Sequence, residues 1–364
     1  MLSRRALIGT AAGAGLGLVT GVAQGETVPD TDLLRIARRK GIWLGTAIGA
    51  RDVADEQVVR LYRRHCNSYT PRNSLKWQAV EQRKAMLQWG EADRLVSFAQ
   101  AAKAACYGHT LIWHRVPAWV AAIRSAGELR AAMRERIQGT MGRYVGRIHA
   151  WDVVNEALEY EKAELRSSLF QSLLGNAYIE ESFALAREAD PRATLVLNET
   201  HLEKRSPIFS QRRTLFLKLL EQLLARGTPV QAVGLQGHFR PGLDLLDEEE
   251  LSRFCAALKA MGLAIYITEL DGSCRFASKI RNRGERIYDY AFQRFVEVVG
   301  ASGALHGITL WGMAERYVDR EARAPQGCAT AIGLFDQQLR PRHTLDAFAR
   351  ALTTLPDARS RGDS

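Results

Sequence analysis

Trp151-Asp152-Val153-Val154-Asn155-Glu156-Ala157 and Ile265-Tyr266-Ile267-Thr268-Glu269-Leu270-Asp271 are two short apolar runs, rich in Val and Ile, that each lead into a glutamate. Runs of this length and composition read as strands buried on both faces. A carboxylate is almost never fully buried without a partner, so each glutamate marks a place where a strand leaves the core and opens on a cleft. Counting outward from these two, the candidate strands are Trp43–Ala47, Asn67–Thr70, Cys106–His109, Ala150–Val154, Leu195–Asn198, Ala232–Gln236, Ala264–Glu269 and Ile308–Trp311, eight in all. Helical stripes lie between them. Leu129, Met133, Ile137 and Met141 share one helix face, as do Leu251, Phe254, Leu258 and Met261. Strands alternating with helices pair in parallel and carry the helices outside. No linker, low-complexity tract or repeat interrupts residues 30 to 355.

Periodicity alone leaves a doubly wound open sheet as a competitor. The polar residues at the strand ends separate the two. Asn73 follows the second run, His109 ends the third, and Asn155 and Glu156 close the fourth. Asn198 ends the fifth, Gln236 and His238 the sixth, Glu269 the seventh and Trp311 the eighth. An open sheet gathers its chemistry at one switch point, whereas a closed barrel draws on several strand ends at one rim. The expected fold is a single (β/α)8 TIM barrel.

The 364 residues are 46% apolar and 25% charged, ordinary for a globular domain with a core large enough to need no staples. The net charge of +10 admits nucleic acid, an anionic surface or an acidic polymer as partner. With scattered arginines, no lysine-rich run and no nucleic-acid motif, a nucleic-acid partner is not expected. Cys66, Cys106, Cys255, Cys274 and Cys328 show no CxxC pair and no metal-type spacing, and they read mostly as small buried hydrophobes. At the N-terminus, Ser3-Arg4-Arg5-Ala6-Leu7-Ile8 precedes a Gly/Ala-rich apolar stretch to about Val22. That layout resembles a twin-arginine export signal, and the stretch is too short and too poor in large aliphatics for a spanning helix. The expected organisation is an export signal at residues 1–25, cut near Ala23 to Gly25, and one catalytic domain at 26–364. The product would be periplasmic or extracellular, without a stable membrane anchor and monomeric. Loss of Arg4 and Arg5 takes the charge from +10 to +8.

Two carboxyls facing one another across a cleft suit glycoside hydrolysis, one giving a proton and the other attacking or activating water. Strand-end glutamates alone fit rim salt bridges equally well. The surrounding residues add a resemblance. Trp89, Ala92-Asp93, Gly108-His109-Thr110-Leu111-Ile112-Trp113-His114, Pro117, Trp119, Trp151 to Ala157, Leu235-Gln236-Gly237-His238, Ile267 to Asp271, Trp311-Gly312 and Gly333-Leu334-Phe335-Asp336 follow one another at barrel-strand intervals. In that order they resemble glycoside hydrolase family 10, best known as endo-1,4-β-xylanases. The resemblance spans nearly the whole mature chain.

Residue by residue, the resemblance implies that Glu156 is the acid/base and Glu269 the nucleophile of a retaining double displacement on xylan-type polysaccharide. It implies that Asn155 binds the sugar 2-hydroxyl, and that His238, held by Asp271, contacts Glu269 and keeps it charged. Asn73, Lys76, His109, Trp113, Gln236 and Trp311 would line the glycone side. No cofactor is implied. A metal reading of His109, His114, His238 and Glu269 competes with sugar binding at the same residues, and no metal is expected. Asp152 reads as a buried structural hydrogen-bonder, and His114 and Trp119 as packing residues.

Three positions depart from the family pattern. Thr70-Pro71-Arg72-Asn73 stands where the family typically shows Thr-Pro-Glu-Asn, and Asn198-Glu199-Thr200-His201 where it shows Asn-Asp-Tyr-Asn. Asp319 falls, by counting, where a second tryptophan is expected, in a long loop from Tyr317 to Thr330. Arginine cannot accept a hydroxyl hydrogen bond but pairs well with a carboxylate. Arg72 therefore makes an acidic, uronic-acid-bearing exopolysaccharide an alternative substrate. A carbohydrate-binding pseudoenzyme is the alternative outside catalysis, and retention of both glutamates with Asn155, His238 and Asp271 weighs against it. Transglycosylation uses the same covalent intermediate.

Overall fold

Each barrel strand of the molecule pairs in parallel with the next, and the last pairs back to the first. The structure, a computed structural model, describes residues 32–240, 244–272, 283–317 and 333–358. The eight barrel strands are β1 Trp43–Ile48, β2 Ser68–Pro71, β3 Ala105–Gly108, β4 Ala150–Asn155, β5 Thr194–Glu199, β6 Ala232–Leu235, β7 Ala264–Gly272 and β8 Leu305–Leu310, and two-residue strands at Ile112–Trp113 and His238–Phe239 pair at the rim with β4 and β7. Closure comes from β8 against β1, with Gly307 opposite Trp43 and Leu310 opposite Thr46. A helix follows each strand: α1 Glu56–His65, α2 Gly90–Ala101, α3 Ala126–Arg143, α4 Ala177–Ala189, α5 Pro207–Ala225, α6 Glu248–Ala260, α7 Arg283–Ala301 and α8 His343–Thr354. This is the closed (β/α)8 barrel that the polar strand ends require.

Helix placement follows the sequence stripes. Ser125 caps α3 by accepting from the Glu128 amide, and Leu129, Met133, Ile137 and Met141 are its buried face. Each such side chain contributes about 1.5–3 kcal/mol when fully buried. In α6, Leu251, Phe254 and Leu258 are buried as expected, while Met261 is the half-buried C-cap outside the helix. The strand edges differ slightly too. β8 begins at Leu305 and ends at Leu310, so Trp311 lies just past it. His109 and Gln236 likewise sit one residue beyond β3 and β6.

The barrel interior is a second, small core of Tyr107, Ala150, Val196, Ala232 and Tyr266, separate from the large core between strands and helices. Strict alternation along β4 and β7 would turn their terminal residues the wrong way. Two irregularities prevent that. Opposite Val196–Leu197 of β5, β4 spends Asp152 to Val154, so Val153 and Val154 both pack outward in the large core and Asn155 turns in. Opposite Ile308 to Leu310 of β8, β7 spends Ile267 to Leu270, which turns both Thr268 and Glu269 inward. A bulge that re-aims a side chain at a barrel rim is a recurrent device.

Candidate active site

Glu156 lies one residue beyond β4 and Glu269 in the C-terminal part of β7, and a chain of amides joins them. Gln236 Nε2 donates to Glu156 Oε1 (3.2 Å) and to Asn155 Oδ1 (3.3 Å). Asn198 Nδ2 donates to the same Asn155 oxygen (2.8 Å) and to Glu269 Oε1 (3.0 Å). Asn198 is itself oriented by the Thr268 hydroxyl, which donates to its Oδ1 at 2.7 Å. Asn198 is completely buried and touches residues of β4, β6 and β7. Sequence reasoning noted it as a strand end and gave it no role; its signal was the amide placed in register with two glutamate-bearing strands.

The two carboxylates differ in their company. On Glu269, His238 Nε2 lies 3.2 Å from Oε2, and His109 Nδ1 lies 3.9 Å from Oε1. Burial opposes its charge, but His109, His238 and Lys76 outweigh burial and bring its pKa from 4.5 to about 2. His238 Nδ1 is 2.7 Å from Asp271 Oδ1. Burial favours the neutral imidazole, yet the charges and hydrogen bonds of Asp271 and Glu269 raise its pKa well above 6.5. A carboxylate on one ring nitrogen and a second on the other makes both nitrogens donors, as in a charged imidazolium.

Glu156 has neutral donors. Trp113 Nε1 (2.9 Å) and the Tyr160 hydroxyl (2.6 Å) both donate to Oε2, with His114 Nδ1 at 3.5 Å and Arg166 Nη2 at 3.9 Å. Its backbone has φ of +58°, a left-handed conformation that costs a non-glycine residue about 1–2 kcal/mol. Two main-chain bonds hold it there: its amide donates to the Asn198 carbonyl (2.8 Å) and its carbonyl accepts from Arg166 Nε (2.7 Å). Strain maintained in this way is typical of functional positions.

His109, Lys76, Trp113 and Trp311 gather at the same rim. The His109 ring meets Trp311 edge-on at 5.1 Å, and Lys76 Nζ lies 5.1 Å from the Trp113 ring centre and 6.0 Å from that of Trp311. Asn73 Oδ1 accepts from Lys76 Nζ at 2.9 Å. Burial lowers the Lys76 pKa against the pull of Glu269 and Glu156. His109 is fixed from below by Asp152, whose Oδ2 is 2.7 Å from Nδ1 while Oδ1 accepts from Tyr107 at 2.6 Å. Asp152 is thus a buried structural residue, as its position in the strand implied. The fully buried Arg136 of α3 ties this side down by donating to the carbonyls of Leu75, Thr110 and Leu111 and to Thr140.

Arg72 is not part of this group. It is 8% exposed, its Nη2 donates to the Ala47 carbonyl (3.1 Å) and its Nη1 to that of Tyr317 (3.4 Å), and it lies 4.0 Å from Asp52. Both Nη atoms of the guanidinium are taken up by main-chain carbonyls, which counts against a carboxylate contact at Arg72 and leaves the net charge of +10 as the other support for an acidic polymer. Tyr160, Arg166 and His114 are contacts of Glu156 that sequence reasoning missed or read as packing. Thr200 is buried, and His201 packs its ring against Tyr160 and Phe209. Asp319, Cys274 and Cys328 lie outside the described residues. Among the described residues no cluster of three His, Cys, Asp or Glu could hold a metal, and no helix is long and apolar enough to cross a membrane.

Comparison with known proteins places this rim in context. The pattern of glycosyl hydrolase family 10 matches residues 32–351. The chain is 33% identical over 321 residues to endo-1,4-beta-xylanase 3 of Hypocrea jecorina, covering 87% of this chain and 85% of that protein. It is 31% identical over 343 residues to a beta-1,4-xylanase of Dictyoglomus thermophilum, covering 90% and 92%. Among solved structures, native xylanase 10B of Thermotoga maritima superposes with a TM-score of 0.79 at 25% identity, covering 88% of this chain and 98% of that one. Xylanase 10B of Thermotoga petrophila in complex with xylobiose gives 0.77 at 25% identity, over 89% and 98%. With the motifs in order, the closed barrel and a match over nearly the whole chain, this protein belongs to glycosyl hydrolase family 10.

Proposed function

We propose that the protein is a retaining endo-1,4-β-xylanase in which Glu156 is the acid/base and Glu269 the nucleophile. The observation that carries the assignment is the contrast between the two carboxylates. Glu269 sits among His109, His238 and Lys76, which draw its pKa down to about 2 against burial, and it accepts from Asn198, so that it is charged at neutral pH as an attacking carboxylate must be. Glu156, across the Gln236–Asn155–Asn198 chain, is met by the neutral donors Trp113, Tyr160 and Gln236. In the first step Glu269 forms a bond to the anomeric carbon as the bond to the leaving oxygen breaks, and the Glu156 proton passes to that oxygen. In the second, Glu156 takes a proton from water, the water oxygen bonds to the anomeric carbon, and Glu269 leaves. The net change is one glycosidic bond and one water converted into two chain ends. Asn155 binds the hydroxyl next to the reacting carbon, with Gln236 beside it on the glycone side. Trp113, Trp311, His109, Lys76 and Asn73 offer the aromatic and polar surfaces that suit a sugar ring.

The relatives named as xylanases support a xylan-type substrate, and the committed guanidinium of Arg72 favours neutral xylan over an acidic exopolysaccharide. Residues 1–25 serve as a twin-arginine-like export signal, residues 26–364 as the catalytic domain, and the enzyme acts as a monomer outside the cytoplasm. Product release is measured from neutral xylan, glucuronoxylan and an acidic bacterial exopolysaccharide. Both xylans are expected to be cut to oligosaccharides, with Glu269→Ala lowering the rate by 10⁴-fold or more, roughly the contribution of covalent catalysis and its orienting groups. Cleavage of the acidic polymer alone would restore that substrate class, and binding without turnover on any polymer would make the protein a carbohydrate-binding pseudoenzyme.

A further inference from the structure

Tyr160 stands four residues beyond Glu156, in a turn that the bridge between Leu158 and Leu165 folds back toward the barrel rim. We propose that Tyr160 is a positioning residue for the acid/base: with Trp113 it keeps Glu156 Oε2 a permanent acceptor, so that the transferable proton is carried on Oε1. The inference rests on the reading of Glu156 as acid/base and assigns what sets its orientation.

The oxygen inventory carries the argument. Oε2 receives the phenol at 2.6 Å and the indole at 2.9 Å, which fills both of its lone pairs. Oε1 receives only the Gln236 amide at 3.2 Å and keeps one lone pair for a proton. The phenol is anchored from several sides. Arg166 lies 4.1 Å over its ring, the His201 ring tilts against it at 6.0 Å, and its carbonyl accepts from Arg212 Nη1 at 2.6 Å. Arg166 also holds the Glu156 carbonyl, so one turn fixes both the main chain and the carboxylate of that residue. Burial and the charge of Glu156 push the phenol's pKa above 10, and it stays a donor across the working range.

A hydroxyl bonded to a carboxylate favours the charged form. Removing it takes away one of the two donors that favour the charged carboxylate at Oε2. The other groups that face Glu156 are His114, Arg166, Lys76, Glu199 and Arg212. All remain when Tyr160 becomes Phe, and the ring under Arg166 remains as well.

The test compares the wild-type enzyme with Tyr160→Phe on two substrates across pH: a xylo-oligosaccharide, whose leaving sugar needs a proton, and a dinitrophenyl xylobioside, whose leaving group does not. For the oligosaccharide, the alkaline limb of kcat/KM is expected to move up by about one pH unit and the rate at the optimum to fall about ten- to a hundredfold. For the dinitrophenyl substrate the first step should stay within about twofold, since it bypasses the proton transfer. Trp113→Phe, which removes the other donor to the same oxygen, should move the limb in the same direction. An unmoved limb, or equal losses on both substrates, would overturn the proposal. Glu156→Ala is measured alongside. If it fails to abolish the alkaline limb, the acid/base assignment falls, independently of what Tyr160→Phe does.

Discussion

At the scale of single residues, Glu269, the proposed nucleophile, is kept charged by His238, and His238 by Asp271. Asp271 is the largest influence raising the His238 pKa against burial. Asp271→Asn keeps a hydrogen-bond acceptor on Nδ1 and removes the charge, so the imidazole should lose its proton near its ordinary value and Glu269 should lose a neighbouring cation. The pH at which His238 gives up its proton, followed by NMR of its ring, is expected to fall by about 1–3 units, while binding of xylobiose changes little. Superimposable ring titrations for wild type and Asp271→Asn would refute this. The same shifts have stability signs. A raised histidine contributes stability that is present below 6.5 and lost as pH rises through its folded value. A depressed carboxylate such as Glu269 contributes stability present above 4.5 and lost as pH falls toward about 2. Most of this constellation was legible in the sequence because its members end apolar runs. Tyr160 and Arg166 were not, because they lie in a turn with no periodicity, where only contact with Glu156 gives them meaning. Arg72 was legible as a departure but not as a committed group, since its partners are the carbonyls of Ala47 and Tyr317 and carbonyl direction leaves no mark on a sequence.

At the scale of elements, the barrel strands supply register and the irregularities in β4 and β7 supply aim. Eight strands and the α3 stripe could be read from apolar runs, but neither bulge could. A bulge is a mismatch between two neighbouring strands and does not show in either alone. β6 shows how narrow the tolerance is. A Cβ on Gly234 would lie 2.2 Å from Asn198 Oδ1 and 2.9 Å from Thr268 Cγ2, so the glycine exists to let Asn198 reach across the barrel. Gly234→Ala should displace Asn198 from Asn155 and Glu269, cost about 1–3 kcal/mol of stability through overpacking, and lower kcat more than KM. Thermal melting together with steady-state kinetics checks it. Unchanged kcat in a folded Gly234→Ala would mean that the amide chain between the carboxylates is not needed for turnover.

At the scale of the whole molecule, the barrel closes only when β8, at residues 305–310, meets β1, at residues 43–48. The site is distributed over nearly the whole chain, and no half of it could act alone. The same closure buries the described cysteines. Cys66, Cys106 and Cys255 are free and buried, and burial pushes the Cys106 and Cys255 thiols up to about 12 and Cys66 in the same direction. Thiols in that state react slowly, because the thiolate is the nucleophile, so an oxidising compartment does not threaten this core. Buried thiols of this kind are compatible with the proposed export, in which the N-terminal Arg4-Arg5 pair would act as the address. Changing both arginines to lysine keeps the charge and the apolar stretch but removes the feature that resembles a twin-arginine address. In a bacterial host with that machinery, wild-type protein is expected outside the cytoplasm, shortened by about 25 residues, the length expected of such a signal. The Arg4→Lys, Arg5→Lys variant should remain inside at full length and fully active after lysis. Equal export of the two forms, read by immunoblot of cell fractions, would show that the arginine pair is not an address and that the apolar stretch alone directs the chain.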